Sequence, residues 1–305
     1  MLSRRALVAS AAATHERLGG PAQWLLALPA HHVAGFQVLL RSALSATRPV
    51  LLDDHSDLAS ATSAFTSSRR YVSIVPTQLH RWLADPASAE ALATYDAVLV
   101  GGGATDPQLL QRARGAKIRV VTTYGMTETC GGCVYDGIPL DGVGVAIDAT
   151  GLIRISGPVL FDGYAGRDEL TAEVLRDGWF ATEDLGRIDA DGRLEVLGRA
   201  DDMIVSGGVN IPLEAVRRRL LARPELAEVV VVGLPDPEWG QRVVAVVTLV
   251  DGSTAPDLGS LRDFVAAEHP RAWSPREVVV RDRLPMLESG KIDRLRLAAE
   301  LAELP

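Results

Sequence analysis

Gly198-Arg199-Ala200-Asp201-Asp202-Met203-Ile204-Val205-Ser206-Gly207-Gly208-Val209-Asn210-Ile211 separates two unlike halves of a chain of 305 residues. A cluster of charge is followed at once by a glycine pair. That composition suits a hinge, where a few residues absorb a large backbone change. Before it, short apolar runs alternate with helical patterns. Trp24–Leu28 ends at Pro29, a helix-like stretch follows over Phe36–Ala46, and Val50–Leu52 reads as a strand. Tyr71–Val75 reads as a strand stopped by Pro76, with a helical turn over Gln78–Leu83. Asp96–Val100 runs into Gly101-Gly102-Gly103, and Ile118–Thr122 runs into Tyr124-Gly125. Strands that end in glycine loops are the usual layout of an α/β ligand site.

From about Thr150 the pattern changes. Leu152–Ser156 and Arg193–Leu197 read as antiparallel strands separated by turns such as Asp189-Ala190-Asp191-Gly192. Beyond the quoted stretch a smaller α+β unit is expected. Asn210 is expected to cap a helix with Pro212 in its first turn. Leu213, Val216, Leu220 and Leu221 then recur at helical spacing, as do Leu258, Leu261, Phe264 and Val265. Glu228–Gly233, Arg242–Val250 and Glu277–Val280 read as strands. The expected domains are therefore 1–200 and 201–305.

Composition narrows the function classes. Hydrophobic residues at 47% and charged residues at 23% describe a globular enzyme. A formal charge of −8 argues against a nucleic-acid binder working through a basic surface. No apolar run has the length of a membrane span. Arg4-Arg5 followed by an alanine-rich run has a crude signal-peptide outline, but only two large apolar residues, so an ordinary helix and a cytoplasmic protein are expected. The two cysteines, Cys130 and Cys133, exclude a disulfide-built scaffold. Their C-x-x-C spacing permits a redox pair or half a zinc site, although no paired histidines stand nearby; two reduced thiols is the plainer reading.

Four further stretches carry chemistry. Tyr124-Gly125-Met126-Thr127-Glu128-Thr129 could offer a hydroxyl and a carboxylate to a phosphate and a Mg²⁺, or be a polar turn. Gly101-Gly102-Gly103 permits close backbone approach to a flat ligand. In Gly178-Trp179-Phe180-Ala181-Thr182-Glu183-Asp184 the final aspartate could accept from a ribose diol, or be solvated. Pro285-Met286-Leu287-Glu288-Ser289-Gly290-Lys291 places one lysine on a glycine-containing loop.

In this order and spacing, these segments resemble the adenylate-forming superfamily of acyl-CoA synthetases, luciferases and carrier-loading adenylation domains. The resemblance runs from about Trp24 to Arg294. Leu28-Pro29-Ala30-His31-His32-Val33-Ala34-Gly35 and Val98-Leu99-Val100-Gly101-Gly102-Gly103-Ala104 look most like the o-succinylbenzoate–CoA ligases of menaquinone synthesis. The resemblance implies a large N-terminal α/β domain with a distorted small barrel portion, here missing its first part, and a small mobile α+β C-terminal lid. It implies ATP, Mg²⁺ and coenzyme A, with an aromatic carboxylic acid as substrate, and leaves a homodimer open. Carried over by motif, Lys291 bridges the carboxylate and the α-phosphate, Thr127 contacts phosphate and Glu128 holds Mg²⁺. Asp184 and Arg199 hold the ribose; Gly101, Gly102 and Gly103, with Tyr124 and Gly125, line the nucleotide and acyl slot. His32 borders the acyl pocket. Asp201 is the hinge, about which Ser206-Gly207-Gly208 would swing towards the acyl-adenylate.

The family also carries a Ser/Thr/Gly-rich loop ending in Pro-Lys-Gly that grips the β- and γ-phosphates. No such segment is present in these 305 residues, and Met1-Leu2-Ser3 resembles what normally follows it. The expectation is a miscalled start or a fragment, or else a short protein without ATP chemistry, and poor ATP binding by the chain as written. Three other functions compete with succinylbenzoate ligation: another aryl- or acyl-CoA ligase or carrier-loading enzyme, a non-catalytic remnant, and a C-x-x-C oxidoreductase.

Overall fold

Five parallel strands and an antiparallel hairpin extension build the principal sheet. The computed structural model describes residues 1–285 and 293–302. In chain order the first strands are β1 (Gln23–Leu26), β2 (Val50–Leu51), β3 (Arg70–Ile74), β4 (Ala97–Val100), β5 (Val120–Met126), β6 (Gly131–Tyr135) and β7 (Ile138–Pro139). They lie in the order β2-β1-β3-β4-β5-β6-β7. Pairing is parallel from β2 through β5 and antiparallel from β5 through β7. The helices are α1 (Arg4–Arg17), α2 (Val33–Leu44), α3 (Leu58–Ser63), α4 (Pro76–Ala84), α5 (Pro86–Ala93) and α6 (Pro107–Gly115).

Period-two alternation explains why both faces of this sheet are dry. Leu25, Val72, Ile74, Val98 and Val100 point into one core, with Leu58, Leu79, Leu92 and Leu109 from α3–α6. Their neighbours Trp24, Tyr71, Ala97 and Leu99 point into the other, with Val38 of α2 and Tyr135 of β6. Leu25, Leu79 and Leu92 are fully buried. Each contributes about 1.5–3 kcal/mol by leaving water. The helices start where their sequences say they should: Ser3, Asp57, Asp85 and Asp106 accept backbone N–H bonds at their N-termini.

A second, antiparallel sheet follows, made of β8 (Gly144–Ile147), β9 (Leu152–Ser156), β10 (Leu175–Arg176) and β11 (Trp179–Ile188), in the order β10-β11-β9-β8, with α7 (Asp168–Val174) before β10. The chain divides into two units: residues 1–182 with 186–195, and residues 183–185 with 196–305. The second unit holds β12 (Leu194–Arg199) from Val196 onward and the hairpin β13 (Met203–Ser206) and β14 (Val209–Pro212). It continues through α8 (Leu213–Leu221), β15 (Leu226–Asp236), β16 (Gly240–Leu249), α9 (Leu258–Ala266), β17 (Glu277–Val280) and α10 (Arg294–Ala302). β15 and β16 pair antiparallel, and β17 adds to β16 in parallel. Val230, Val232, Val244, Val246, Leu297 and Leu301 form its core. This is the expected class: a large α/β unit followed by a small α+β one.

Two local expectations fail for identifiable reasons. β5 does not stop before Tyr124 but continues through Met126, because the segment after it returns as β6 and supplies hydrogen-bond partners. Asn210 does not cap α8. It lies inside β14 opposite Val205, and Pro212 stands at the cap position ahead of Leu213. Proline offers no side-chain acceptor, so strand pairing prevailed over capping here.

Candidate active site

The carboxyl ends of β3, β4 and β5 open into a cavity of about 290 Å³. Ser73, Ile74 and Val75 come from β3 and its exit, Gly101 and Gly102 follow β4, and Thr123, Gly125 and Met126 come from β5. Val33, Ala34, Gln37 and Arg41 of α2 form another wall, and Tyr135 of β6 completes it. Crevices outside the carboxyl ends of parallel strands are where such sheets bind ligands. Gly125 has φ +157, and a Cβ there would collide with the Gly131 carbonyl. Only glycine lets β5 and β6 close at this point.

One wall carries an unusual charge. Arg41 is 3% exposed. Its Nη2 donates to Thr14 Oγ1 at 3.0 Å, and its guanidinium lies 5.0 Å from the Trp24 ring. Tyr135 also bonds to it. Its Nε has no hydrogen-bond partner and no carboxylate pairs with it among the described residues. Burial pulls its pKa down, and the Tyr135 contact only partly offsets that. Burial first, and then the Arg41 charge, pull the nearby His15 down to about 4. One helical turn before Arg41, Gln37 is fully buried. Its Nε2 donates to the carbonyls of Leu7 (3.3 Å) and Cys130 (2.9 Å), tying α1 and the turn after Glu128 to α2.

That turn carries the motif residues. Thr127, Glu128 and Thr129 form one turn of 3₁₀ helix, closed by Met126 N–H donating to Thr129 Oγ1 at 2.9 Å. Thr127 is exposed and lines the cavity; Glu128 is half-buried. The Tyr164 phenol donates to Glu128 Oε1 at 2.9 Å. Tyr124 lies on β5 opposite Val134 and Gly103 is exposed; neither lines the cavity. His32 is exposed at the N-cap of α2, directly before the cavity residue Val33, with its ring 4.3 Å from that of His31. Cys130 and Cys133 are buried free thiols, pushed up to about 11 and about 12 by burial. No group of three or more His, Cys, Asp or Glu among the described residues could hold a metal ion. The redox and zinc readings of the C-x-x-C pair therefore have no support here.

The second unit gathers the remaining motif residues. Arg199 bonds to Glu183, reaches Asp201 Oδ1 at 3.3 Å and lies 4.0 Å from Asp184. Asp201 foremost, and then Glu183, raise its pKa. Ser206 pairs with Val209 across a two-residue turn in which Gly207 has φ +57 and Gly208 φ +78. Both central residues of such a turn need positive φ, hence the glycine pair. A Cβ on Gly207 would also lie 2.5 Å from the Trp239 ring. Lys291 lies outside the described residues.

The profile of the AMP-binding enzyme family matches residues 1–165, and that of the AMP-binding enzyme C-terminal domain matches residues 218–291. The chain belongs to the AMP-binding enzyme family. Among AMP-binding enzymes it is 44% identical to a probable 2-succinylbenzoate–CoA ligase of Mycobacterium tuberculosis, over 99% of this chain and 80% of that one. The structure of o-succinylbenzoate CoA synthetase from Bacillus subtilis, in complex with its acyl-adenylate intermediate, superposes with a TM-score of 0.77 at 28% identity. That match covers 100% of this chain and 66% of the other. Apo MatB from Rhodopseudomonas palustris gives 0.86 at 25% identity, covering 99% of this chain and 65% of that one. The chain thus spans 60% of other curated relatives and about two thirds of these solved chains.

Sequence reasoning missed Arg41, Gln37, Tyr135 and Tyr164. A signal existed for the first two. They stand four residues apart in an otherwise apolar helical stretch, so they share a face that should have been core.

Proposed function

We propose that this chain is an ATP-dependent acid–thiol ligase that converts o-succinylbenzoate, through its acyl-adenylate, into the CoA thioester. The observation that carries the substrate is Arg41. A buried guanidinium without a carboxylate partner is costly unless an anion arrives to pair with it. An acid that presents one carboxylate for activation needs a second to meet Arg41. An aromatic keto-diacid has both, and the apolar residues Leu28, Val33 and Ile74 of the same cavity suit its ring and chain. The mycobacterial and Bacillus relatives named above support this substrate.

The same reading assigns the other residues. Gly101, Gly102 and Gly125 line the nucleotide and acyl slot, with Gly103 and Tyr124 beside them in the chain but off its wall; Asp184 and Arg199 hold the ribose. Thr127 meets phosphate, and His32 borders the acyl entrance. Domains 1–200 and 201–305 alternate about Asp201, which withdraws Lys291 and brings Ser206, Gly207 and Gly208 to the acyl-adenylate. Glu128 is the protein's ligand to Mg²⁺. The donor set fits: one hard carboxylate beside a hydroxyl suits a cation that keeps waters and substrate phosphates as its other ligands. When bound, Mg²⁺ neutralises charge on the phosphates. The reaction belongs in the cytoplasm, with its ATP and CoA; among the described residues no helix is long and apolar enough to cross a membrane.

The two half-reactions separate the roles. Lys291→Ala should slow acyl-adenylate formation by about 10²–10³, the cost of one charge-stabilising donor, while largely sparing thioester formation from supplied acyl-adenylate. Equal losses in both halves, scored by pyrophosphate release and by thioester absorbance, would remove the lysine from its role. For the substrate, acyl-adenylates with and without a second carboxylate are offered with CoA. Equal rates for both would refute the diacid reading.

A further inference from the structure

Tyr164 stands out because it touches a motif residue from 36 positions away. Its phenol donates to Glu128 Oε1 at 2.9 Å. The segment that carries it also holds the turn by its backbone, since Phe161 N–H donates to the Glu128 carbonyl at 2.8 Å. Glu128 is therefore gripped at main chain and side chain by one short stretch.

That stretch is itself fixed. The Tyr164 ring lies edge-on to Phe161, centroids 4.9 Å apart, and Phe161 lies edge-on to Phe180 at 5.4 Å. Phe161 and Phe180 are each 4% exposed. Tyr164 N–H donates to Thr171 Oγ1 at 2.9 Å, and that hydroxyl donates to the Arg167 carbonyl at 2.9 Å, at the start of α7. A phenol held by packing and by its own backbone presents its proton in one direction. A carboxylate on a half-exposed turn would otherwise sample several rotamers, each ordering step costing conformational entropy.

We propose that Tyr164 is a positioning residue for the metal carboxylate: its phenol engages Glu128 Oε1, fixes the plane of the carboxylate and leaves Oε2 for the cation. This rests on the reading of Glu128 as the Mg²⁺ ligand. Outer partners of metal ligands do this work generally, and their loss costs about 10–100-fold in metal affinity.

Tyr164→Phe keeps the ring and its packing and removes only the hydroxyl. The probes are Mn·ATP, read by water-proton relaxation enhancement, and AMP, read by calorimetry. AMP binding needs no metal. The positioning role predicts a Mn·ATP dissociation constant about tenfold higher in Tyr164→Phe, with AMP affinity within about twofold. A merely structural tyrosine would shift both together or neither, and either result overturns the proposal. Glu128→Gln distinguishes its failure from that of the reading beneath it. If Glu128→Gln binds Mn·ATP as well as the wild type does, the metal role of Glu128 falls and the proposal falls with it. In the double variant Tyr164→Phe/Glu128→Gln the tyrosine effect should vanish; a tenfold effect that persists without the carboxylate rejects the coupling.

Discussion

Arg41 and Arg199 are opposite solutions to carrying a guanidinium. Arg41 is buried against Trp24, bonds to hydroxyls and meets no carboxylate among the described residues. Arg199 is half-exposed and surrounded by Glu183, Asp184 and Asp201. The first is a charge whose solvation has been removed and not replaced; the second is already compensated. The contrast teaches where electrostatic selectivity can reside. A guanidinium with its partners in place gains little from one more anion in water, whereas one starved of them gains much in a dry cavity.

Replacing Arg41 breaks the contrast most severely. Arg41→Met should weaken binding of a diacid acyl-adenylate by about 2–5 kcal/mol, measured by calorimetry, as expected when one partner of a buried charge pair is lost. The same variant should melt no lower than the wild type, since trading a buried unpaired ion for an apolar side chain is often neutral or stabilising. A large drop in melting temperature would mean that Arg41 is structural. Arg199→Gln sharpens the comparison from the other side. Its effect on unfolding free energy should stay within about 1 kcal/mol and shrink further at high salt, because the pairs it removes are exposed. Denaturant titrations at two ionic strengths would show this.

The smallest effect concerns His15, beside Arg41. Its folded pKa of about 4 lies below the ordinary 6.5. Between these values the unfolded chain binds a proton that the native state refuses. Stability should therefore be full above about pH 6.5, fall as pH drops through this window, and lose nothing more from this residue below about 4. His15→Gln should flatten that part of the stability–pH curve. An unchanged slope would place the acid sensitivity elsewhere.

Much of the architecture could be read before any coordinates. β9 and β17 fall on their expected residues, and the glycine-tipped hairpin at Ser206-Gly207-Gly208 forms as its composition demands. Short-range rules suffice there, because side-chain alternation and positive-φ turns are local. The failures involve competition across distance. Asn210 had good capping chemistry but found a strand partner in Val205. β5 overran its expected end because β6 returned alongside it. The cavity was legible from its glycine side, Gly101, Gly102 and Gly125, and hidden on its α2 side. Nothing local distinguishes a buried Arg41 from a solvated one; the difference is made by Trp24, Thr14 and Tyr135, which only the fold assembles. Tyr164 was invisible for the same reason.

The two free thiols have a consequence for a ligase whose final acceptor is itself a sulfur nucleophile. With values near 11 and 12, Cys130 and Cys133 hold almost no thiolate at neutral pH. Thiolate is the species that attacks disulfides, so oxidised coenzyme finds no partner for exchange beneath the surface. An enzyme bathed in a thiol cofactor is thereby spared mixed disulfides within a few residues of Glu128, and an oxidative pulse should leave these two thiols unmodified.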